Sequence, residues 1–459
     1  MSIQVDHLGI KPAIADWMKE FFSNKDHIFT FMEEYGSPVN VHNPDMFRHN
    51  VEEMTGFFKK FDLPVRIVLP RNACQLSRYN EIIAEHRINS LISNTEELST
   101  CNSLHQATFA YQEKWTDEMM YQTVEHGLIA ILDNEEDVER LNKIANKLEI
   151  EAKIGLRLSK FISKGNNKSV KAFTPNEAYN LISEKFGIEL PYLQFCGFHI
   201  QVNEFCIWKK AQAIRHTLVI TELLHRRGFK TNYIDIGDVF PVNYVAHQKD
   251  WDTLHKTIKK EAKAQVPFKG KTSLDKEGEE NIQYPYFNKF PKETFFEKII
   301  IQPFSAQELL FQAMRSRGIE LITQPKRALF DQTSLSLAVI TDVRKADQDH
   351  YQVTIAMSQD QLDNFQQHYK MEPLCIMKEE NEQKPTKGYL FGLNSDTANA
   401  ETKWMIDFPQ IPTKGSLICF VNTSGHDFQS KGNEGFVKDI YIMEDQKQEW
   451  IHEPEITTA

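Results

Sequence analysis

Glycine is scarce in this sequence, at 19 of 459 residues, below the ~7% of average proteins. A loop that binds phosphate through its backbone needs several glycines, because side chains obstruct close approach. The six cysteines form no CxxC pair, which argues against a zinc site or a disulfide framework and favours reduced thiols. We therefore expect a cytoplasmic protein without a metal centre.

Positive charge and long apolar runs are also lacking. A net charge of -11 argues against nucleic acid or an anionic membrane as partner, since both attract clustered Lys and Arg. No apolar run reaches the ~18 residues of a membrane span, and Met1–Asp6 lacks the basic start of a secretory signal. The length and the 41% hydrophobic content predict a globular protein with two domains.

Short apolar runs alternate with amphipathic segments between residues 60 and 325. The runs are rich in Ile, Val, Leu and Phe without strict alternation, which is typical of strands buried on both faces. Their order predicts an α/β fold, a parallel (β/α)8 barrel of the TIM type. The predicted strands are Val65–Leu69, Ile88–Ser93, Ala107–Tyr111, Gly127–Leu132, Lys153–Leu158, Phe195–Val202, Asn232–Gly237 and Glu320–Gln324.

The segments between these runs carry helix signals. Asn94–Glu97 and Asp133–Glu136 each place a capping side chain before early acids. Glu135–Leu148 and Ile207–Arg227 have helical periodicity, and Gly228 suits the end of the second helix.

After residue 328 the pattern changes to short, partly alternating runs with turns between them. This predicts a C-terminal, mainly antiparallel β domain over residues 326–459, following a barrel over residues 41–325. Residues 1–40 are expected to pack with the β domain, and the polar stretch 269–292 to be a surface insertion. The predicted strands are Ser334–Val343, Tyr351–Met357, Lys403–Asp407, Ser416–Asn422 and Gly435–Met443.

Several short motifs occur in an order typical of one known family. The segment Tyr35–Val41 resembles the opening of the fold-type III pyridoxal-phosphate decarboxylases, the ornithine and diaminopimelate decarboxylase family with its alanine racemase-like barrel. The resemblance extends to about residue 440 and implies the same two-domain fold and pyridoxal phosphate as cofactor. The further matching segments are Arg157, Gly197–His199, Ile234–Gly237, Phe240–Pro241, Pro325–Arg327, Pro373–Cys375 and Asn422–His426.

The resemblance assigns cofactor contacts to the carboxyl ends of the barrel strands. Arg157, His199, Gly237, Gln324 and Arg327 stand at the family's cofactor-binding positions. His199 would stack on the cofactor ring. Gln324 replaces the glutamate that keeps the ring nitrogen protonated, so we expect a weaker electron sink.

The same resemblance reveals departures from the family pattern. Pro70 stands where the family has the lysine that forms the Schiff base, and the neighbouring Arg71 is a poor nucleophile because it stays protonated. Lys114 is the nearest amine at the same end of the barrel. Asp238 and Val239 replace glycines of the phosphate loop.

The second domain supplies further catalytic candidates by resemblance. The family donates a cysteine and an acid from this domain across a dimer interface, and Cys375 and Glu379 stand at those positions. His426 is the nearest candidate for the missing closing tyrosine. With Lys114, these are the candidate catalytic residues.

Each candidate also has a purely structural interpretation. Arg157 could pair with a carboxylate inside the barrel, and His199 could be a hydrogen-bonded core histidine. Cys375 could be inert packing. Lys114 and His426 could be solvated loop residues.

Three functional hypotheses remain open at this level. The first is a non-catalytic or repurposed relative, either a regulatory or partner subunit or a protein that binds a ligand at the barrel mouth or dimer surface. It would form a homodimer or a heterodimer with an active paralogue, and Arg327 with Lys326 is the strongest candidate for binding a small anion. The second is an active pyridoxal-phosphate decarboxylase or racemase using Lys114. The third is a barrel enzyme for another anionic ligand, with Glu97, Glu379 or His426 as acid or base.

Overall fold

The computed structural model describes residues 11–71, 76–99, 107–161, 171–253, 256, 286–346, 350–362, 371–380, 384–393, 404–424, 438–442 and 451–452. Two compact units divide the chain. The barrel unit comprises Val51–Phe240 and Lys292–Lys326. The β unit comprises Met1–Asn50, Pro241–Pro291 and Arg327–Ala459.

Strands and helices alternate through the barrel unit, and strands dominate the β unit. The strands are β1 (Val39–His42), β2 (Val65–Pro70), β3 (Asn89–Ile92), β4 (Ala107–Ala110), β5 (Ile129–Leu132), β6 (Ala152–Leu158), β7 (Leu193–Ile200), β8 (Tyr233–Asp235), β9 (Glu320–Thr323), β10 (Ser334–Lys345), β11 (His350–Ser358), β12 (Leu374–Ile376), β13 (Thr386–Leu393), β14 (Trp404–Phe408), β15 (Leu417–Val421), β16 (Lys438–Tyr441) and β17 (Ile451–His452). The helices are α1 (Asp16–Phe21), α2 (Lys25–Tyr35), α3 (Pro44–Lys59), α4 (Ser77–Glu85), α5 (Thr95–Ser99), α6 (Asp117–Glu125), α7 (Glu135–Leu148), α8 (Pro175–Lys185), α9 (Ile207–Arg226), α10 (Lys292–Ile300), α11 (Leu310–Ser316) and α12 (Lys326–Leu329).

The predicted parallel barrel is confirmed. Strands β2 to β9 close in chain order, each parallel to the next, and β9 pairs with β2 to complete the ring. Each strand begins and ends within two residues of its predicted bounds. The helices between them cover apolar strands on their outer faces, which is why the strand sequences lack alternation.

Side-chain caps begin several barrel helices, and those before α5 and α7 were expected from the sequence. The Asn134 side chain accepts the Asp137 N–H at the start of α7, and Thr174 forms a capping box with Glu177 at the start of α8. Such side chains satisfy N–H groups that the first helical turn leaves without partners.

Two glycines make room for Tyr233 inside the barrel. A Cβ atom at Gly197 would lie 2.4 Å from the Tyr233 carbonyl oxygen, and one at Gly155 would lie 2.1 Å from its hydroxyl. The Tyr233 ring packs edge-on against Phe109, with centroids 5.3 Å apart. Burial raises the pKa of Tyr233 well above its ordinary value. Tyr233 packs in this core with buried side chains of other barrel strands, among them Val68, Leu91 and Ile131.

The β unit contains the predicted, mainly antiparallel sheet. Its strands run in the order β14-β13-β11-β10-β1-β16-β17, with β15 pairing with both β10 and β12. Two pairs, β1 with β16 and β11 with β13, are parallel. Four strands of this sheet, β1, β12, β13 and β17, were not predicted from the sequence.

Strand β1 was not predicted because its apolar pattern is weak. Val39 and Val41 face an apolar core, whereas His42 on the other face contacts Asp439 at 2.7 Å. Asn40 also donates to the Asp439 carboxylate, at 3.0 Å. A four-residue strand with polar residues on one buried face carries little apolar signal.

Within the described part of the chain, no helix is long and apolar enough to cross a membrane. The predicted surface insertion at 269–292 lies outside the described residues as far as residue 285.

Candidate functional site

Polar side chains near the carboxyl ends of three neighbouring barrel strands, β6, β7 and β8, lie at the same height in the barrel. Arg157 on β6 is in register with His199 on β7, and His199 with Asp235 on β8. Because parallel strands end at the same rim, residues far apart in sequence meet there. Arg157 and His199 were predicted at this rim, whereas Asp235 was not singled out.

Asp235 is the centre of a buried hydrogen-bond network. Its carboxylate accepts from His199 Nδ1 at 2.7 Å, from Gln324 Nε2 at 2.7 Å and from Gly237 N at 2.8 Å. Only 1% of the Asp235 side chain is exposed, so these donors replace the water it loses on folding. With Nδ1 donating, His199 directs Nε2 toward Gln201 Oε1, 3.4 Å away. The two contacts fix the orientation of the His199 imidazole at the barrel rim.

Replacing Asp235 by asparagine is expected to lower the free energy of unfolding by about 2 kcal/mol, because the amide removes a charged acceptor and leaves a buried donor without a partner. Denaturation in urea, followed by circular dichroism, measures this loss. D62N is the matched control: the Asp62 side chain is 91% exposed and lies 3.5 Å from Arg315. We expect D62N to change stability by less than about 0.5 kcal/mol. Equal stability of D235N and the parent protein would remove the central role assigned to this carboxylate.

The loop after β8 satisfies its own polar groups. Gly237 adopts a left-handed backbone with φ of 63°, which suits glycine. Its carbonyl oxygen accepts Gln324 N at 3.0 Å and Thr323 Oγ1 at 3.1 Å. The Asp238 carboxylate accepts Phe240 N at 3.2 Å. Two backbone N–H groups of this loop, at Gly237 and Phe240, are therefore bonded to carboxylates of the chain itself.

Lys210, in the first turn of α9, joins this loop to the one after β7. Its ammonium donates to the Val202 carbonyl at 2.8 Å and to the Asp238 carbonyl at 3.2 Å, and lies 5.4 Å from the Phe205 ring centroid. Only 4% of Lys210 is exposed, and burial lowers its pKa to about 8. Sequence reasoning missed Lys210 because a lysine in an amphipathic helix is usually solvated.

Arg157 belongs to a second cluster at the same rim. It donates to the Tyr111 hydroxyl, lies over the Tyr111 ring at 4.8 Å, and approaches Asp133 Oδ2 at 3.9 Å. Burial raises the pKa of Asp133, and the Arg157 charge opposes that rise. The structural interpretation of Arg157, an arginine paired inside the barrel, agrees with these contacts.

Pro70, which stands where the resemblance expects the Schiff-base lysine, is the last residue of β2. Arg71 follows it and donates to Asn80 Oδ1 at 3.2 Å. Lys114 is exposed in the loop after β4, and among the described residues it has no hydrogen bond or ion pair.

The β unit carries the remaining candidates. Cys375 lies in β12 with 7% exposure, and burial raises its pKa to about 12, so its thiol stays protonated near neutral pH. Arg327 is half-buried in α12, and Glu379 is exposed. His426 lies outside the described residues.

Comparison with known proteins gives distant relatives. No protein-family model matches the chain. The uncharacterized protein y4yA of Sinorhizobium fredii is 20% identical over 414 residues, covering 89% of this chain and 87% of that protein. The biosynthetic arginine decarboxylase of Bacteroides thetaiotaomicron is 20% identical over 245 residues, covering 46% of this chain and 38% of that enzyme.

Solved structures of decarboxylases match nearly the whole chain. Diaminopimelate decarboxylase from M. jannaschii, in complex with L-lysine, superposes with a TM-score of 0.66 at 12% identity, covering 91% of this chain and 89% of that chain. The match includes both the closed barrel and the mainly antiparallel sheet. The chain therefore has the fold of the fold-type III pyridoxal-phosphate-dependent decarboxylases, as the order of its sequence motifs predicts.

Proposed function

We propose that the protein is a non-catalytic or repurposed relative of the pyridoxal-phosphate-dependent amino-acid decarboxylases, which acts by binding a ligand at the barrel mouth or as a partner subunit. The observation that carries this proposal is Pro70 at the end of β2. The family resemblance assigns that position to the Schiff-base lysine, and proline offers no amine to form the bond.

The loop after β8 supports the same conclusion, since it fits the phosphate of the cofactor poorly. A phosphate-binding loop presents free backbone N–H groups to the anion. Here the Gly237 and Phe240 N–H groups donate to Asp235 and Asp238. The Asp238 carboxylate also adds a negative charge where the resemblance expects glycine, which opposes a second anion.

The residues that the resemblance places near the cofactor ring also favour a non-catalytic protein. The Gln324 amide donates to Asp235 and contributes no charge that would hold a pyridine nitrogen protonated. Cys375 is buried within the β unit as a high-pKa thiol, which suits packing better than proton transfer.

The alternative is an active decarboxylase or racemase with an atypical site. It is supported by Arg157 and His199, which stand in register at the barrel rim, and by the decarboxylases that share the fold. It requires Lys114 as the amine. The exposure of Lys114 weighs against this role, since nucleophilic lysines are activated by desolvation in an apolar pocket or by a neighbouring cation.

Spectroscopy with the added cofactor tests the proposal. The purified protein is mixed with pyridoxal phosphate, scanned for a visible absorption band, reduced with borohydride and digested for mapping by mass spectrometry. We expect no band, no stoichiometric adduct on any lysine and no cofactor retained after gel filtration. A diaminopimelate decarboxylase treated in parallel is the positive control.

A stoichiometric adduct on Lys114 would overturn the non-catalytic proposal in favour of the atypical enzyme. The partner-subunit form of the proposal has its own measurement, the mass of the complex isolated from the native host. Co-purification with a homologue that carries the lysine supports a heterodimer, and recovery of this chain only with itself argues against the partner-subunit form.

A further inference from the structure

Lys210 connects two neighbouring loops at the barrel rim, the β7 loop (residues 201–206) and the β8 loop (residues 236–240). The hydrogen-bonded pairing of β7 with β8 ends before these loops begin. Beyond that point the Lys210 ammonium donates to the Val202 carbonyl of the β7 loop at 2.8 Å and to the Asp238 carbonyl of the β8 loop at 3.2 Å. One side chain therefore extends the connection between the two strands into their loops.

The two loops differ in how well they are packed. Val239 and Phe240 of the β8 loop are 1% and 0% exposed, whereas every residue of the β7 loop is half-buried or exposed. The Phe205 ring of the β7 loop packs edge-on against Phe295 of α10, with centroids 6.0 Å apart. A segment with little buried surface opens at a lower free energy than the core. The position of the β7 loop therefore depends strongly on polar contacts such as the one with Lys210.

The surroundings of Lys210 accommodate a charge at a cost. The Phe205 ring lies over the ammonium at 5.4 Å, an arrangement that stabilises a cation. Asp238 and Glu204, with the Cys206 thiol, also favour the charged form. Burial outweighs them and lowers the pKa of Lys210 to about 8. A buried charge of this kind adds little stability, but it can select one arrangement of the groups that bind it.

The β7 loop begins beside the candidate site. Gln201, its first residue, places Oε1 at 3.4 Å from His199 Nε2. The Gln201 N–H donates to the Leu158 carbonyl at the end of β6, at 2.8 Å. Displacement of the loop breaks both contacts and leaves His199 Nε2 free for a ligand.

We propose that the β7 loop is a gate at the barrel mouth and that Lys210 is the positioning residue that keeps it closed. The ammonium binds the weakly packed β7 loop to the well-packed β8 loop, so opening requires the contact with the Val202 or the Asp238 carbonyl to break. Opening gives a ligand access to His199. The use of the gate therefore rests on the proposed ligand binding at the barrel mouth, whereas the contact that closes it depends only on the chain itself.

Hydrogen–deuterium exchange of the full-length protein at pH 7, read by mass spectrometry of its peptides, tests the gate. In K210M the amides of the β7 loop are expected to exchange at least about tenfold faster than in the parent, because two hydrogen bonds from a charged donor are lost. K143M is the matched control, since Lys143 is exposed on α7, and its β7 loop should exchange as in the parent. K210Q keeps two N–H donors without the charge, so its loop should exchange at an intermediate rate.

The melting temperature at pH 7 distinguishes a gate from a general loss of structure. Methionine removes the cost of burying a charge, and the two carbonyl groups are hydrated when the loop opens, so K210M should melt at or above the temperature of the parent. The proposal is overturned if the β7 loop exchanges equally in K210M and the parent, if K143M accelerates it as much, or if faster exchange extends over the whole barrel with a lower melting temperature. A lysine adduct with pyridoxal phosphate, which would overturn the non-catalytic function, leaves this comparison unaffected.

Discussion

An alanine at Gly197 is expected to unfold the barrel unit or to leave it barely stable. The new Cβ atom would lie 2.4 Å from the Tyr233 carbonyl oxygen and 2.7 Å from the Tyr233 ring. Gly197 and Tyr233 are in register on β7 and β8, so relief of the clash requires the two strands to separate. In a closed barrel such a shift disturbs every neighbouring strand pair. We expect a loss of at least about 4 kcal/mol in the free energy of unfolding.

Thermal melting and the soluble yield measure this effect, and the expected fall in melting temperature is about 10 °C or more. G56A is the control. Gly56 lies in α3 with open space around its missing Cβ, so alanine there should stabilise by about 0.5–1 kcal/mol. A G197A protein that melts with the parent would show that the barrel interior is looser than the structure has it.

The neighbouring Gly155 permits a sharper test of the same packing. A Cβ atom there would meet the Tyr233 hydroxyl at 2.1 Å but the next ring atom only at 3.3 Å. Y233F removes that hydroxyl, which has no hydrogen-bond partner among the described residues, so Y233F alone should be neutral or stabilising. We expect G155A to be strongly destabilised and G155A/Y233F to recover most of the loss. Additive effects of the two substitutions would contradict this contact.

Lys210 is expected to make the stability of the protein rise between pH 8 and pH 10.5. Burial lowers its pKa from the ordinary 10.5 to about 8, so in this window the unfolded chain binds more protons than the folded one. The free energy of unfolding therefore increases with pH, by about 3 kcal/mol over the full window. Below pH 8 Lys210 is protonated in both the folded and the unfolded state, so the full cost of burying its charge lowers the free energy of unfolding.

The comparison of the parent with K210M isolates this contribution, because other groups titrate alike in both proteins. Guanidinium denaturation at several pH values from 7 to 10 should show the parent gaining stability relative to K210M as the pH rises. K209M is a control of opposite sign. The Lys209 ammonium is 42% exposed, and its hydrogen bond to Glu204 raises its pKa. The parent-minus-K209M difference should therefore stay constant up to pH 10 and fall only above the ordinary pKa of 10.5. A parent-minus-K210M difference that stays constant from pH 7 to 10 would contradict the burial of Lys210.

Most of the barrel could be predicted because each strand is marked by apolar residues that are consecutive in the sequence. Each barrel strand is a short, largely buried run rich in apolar residues, and each carboxyl end was placed within two residues. In the β unit, β12 has three residues and β1 alternates polar with apolar side chains. Neither provides enough consecutive apolar residues to stand out from a loop.

The candidate site was predictable only in part. Strand ends converge at one rim in any parallel barrel, so Arg157, His199 and Gln324 could be placed there from sequence order. Asp235 sits two residues before Gly237 and could have been noticed as an acid inside a strand. Lys210 gave no such signal, since its residue type and its helix both suggest a solvated side chain.

The sequence by itself determined the two-unit fold, the order of the barrel strands and the proline at the end of β2. The tertiary structure alone decided that Asp235 collects three donors, that Arg157 faces Tyr111 and Asp133, and that an ammonium group bridges two loops. The physical reason is the distance in sequence between the residues that interact. Apolar periodicity is a property of consecutive residues, whereas these partners lie as far as 89 residues apart and meet only because the barrel closes with a particular register.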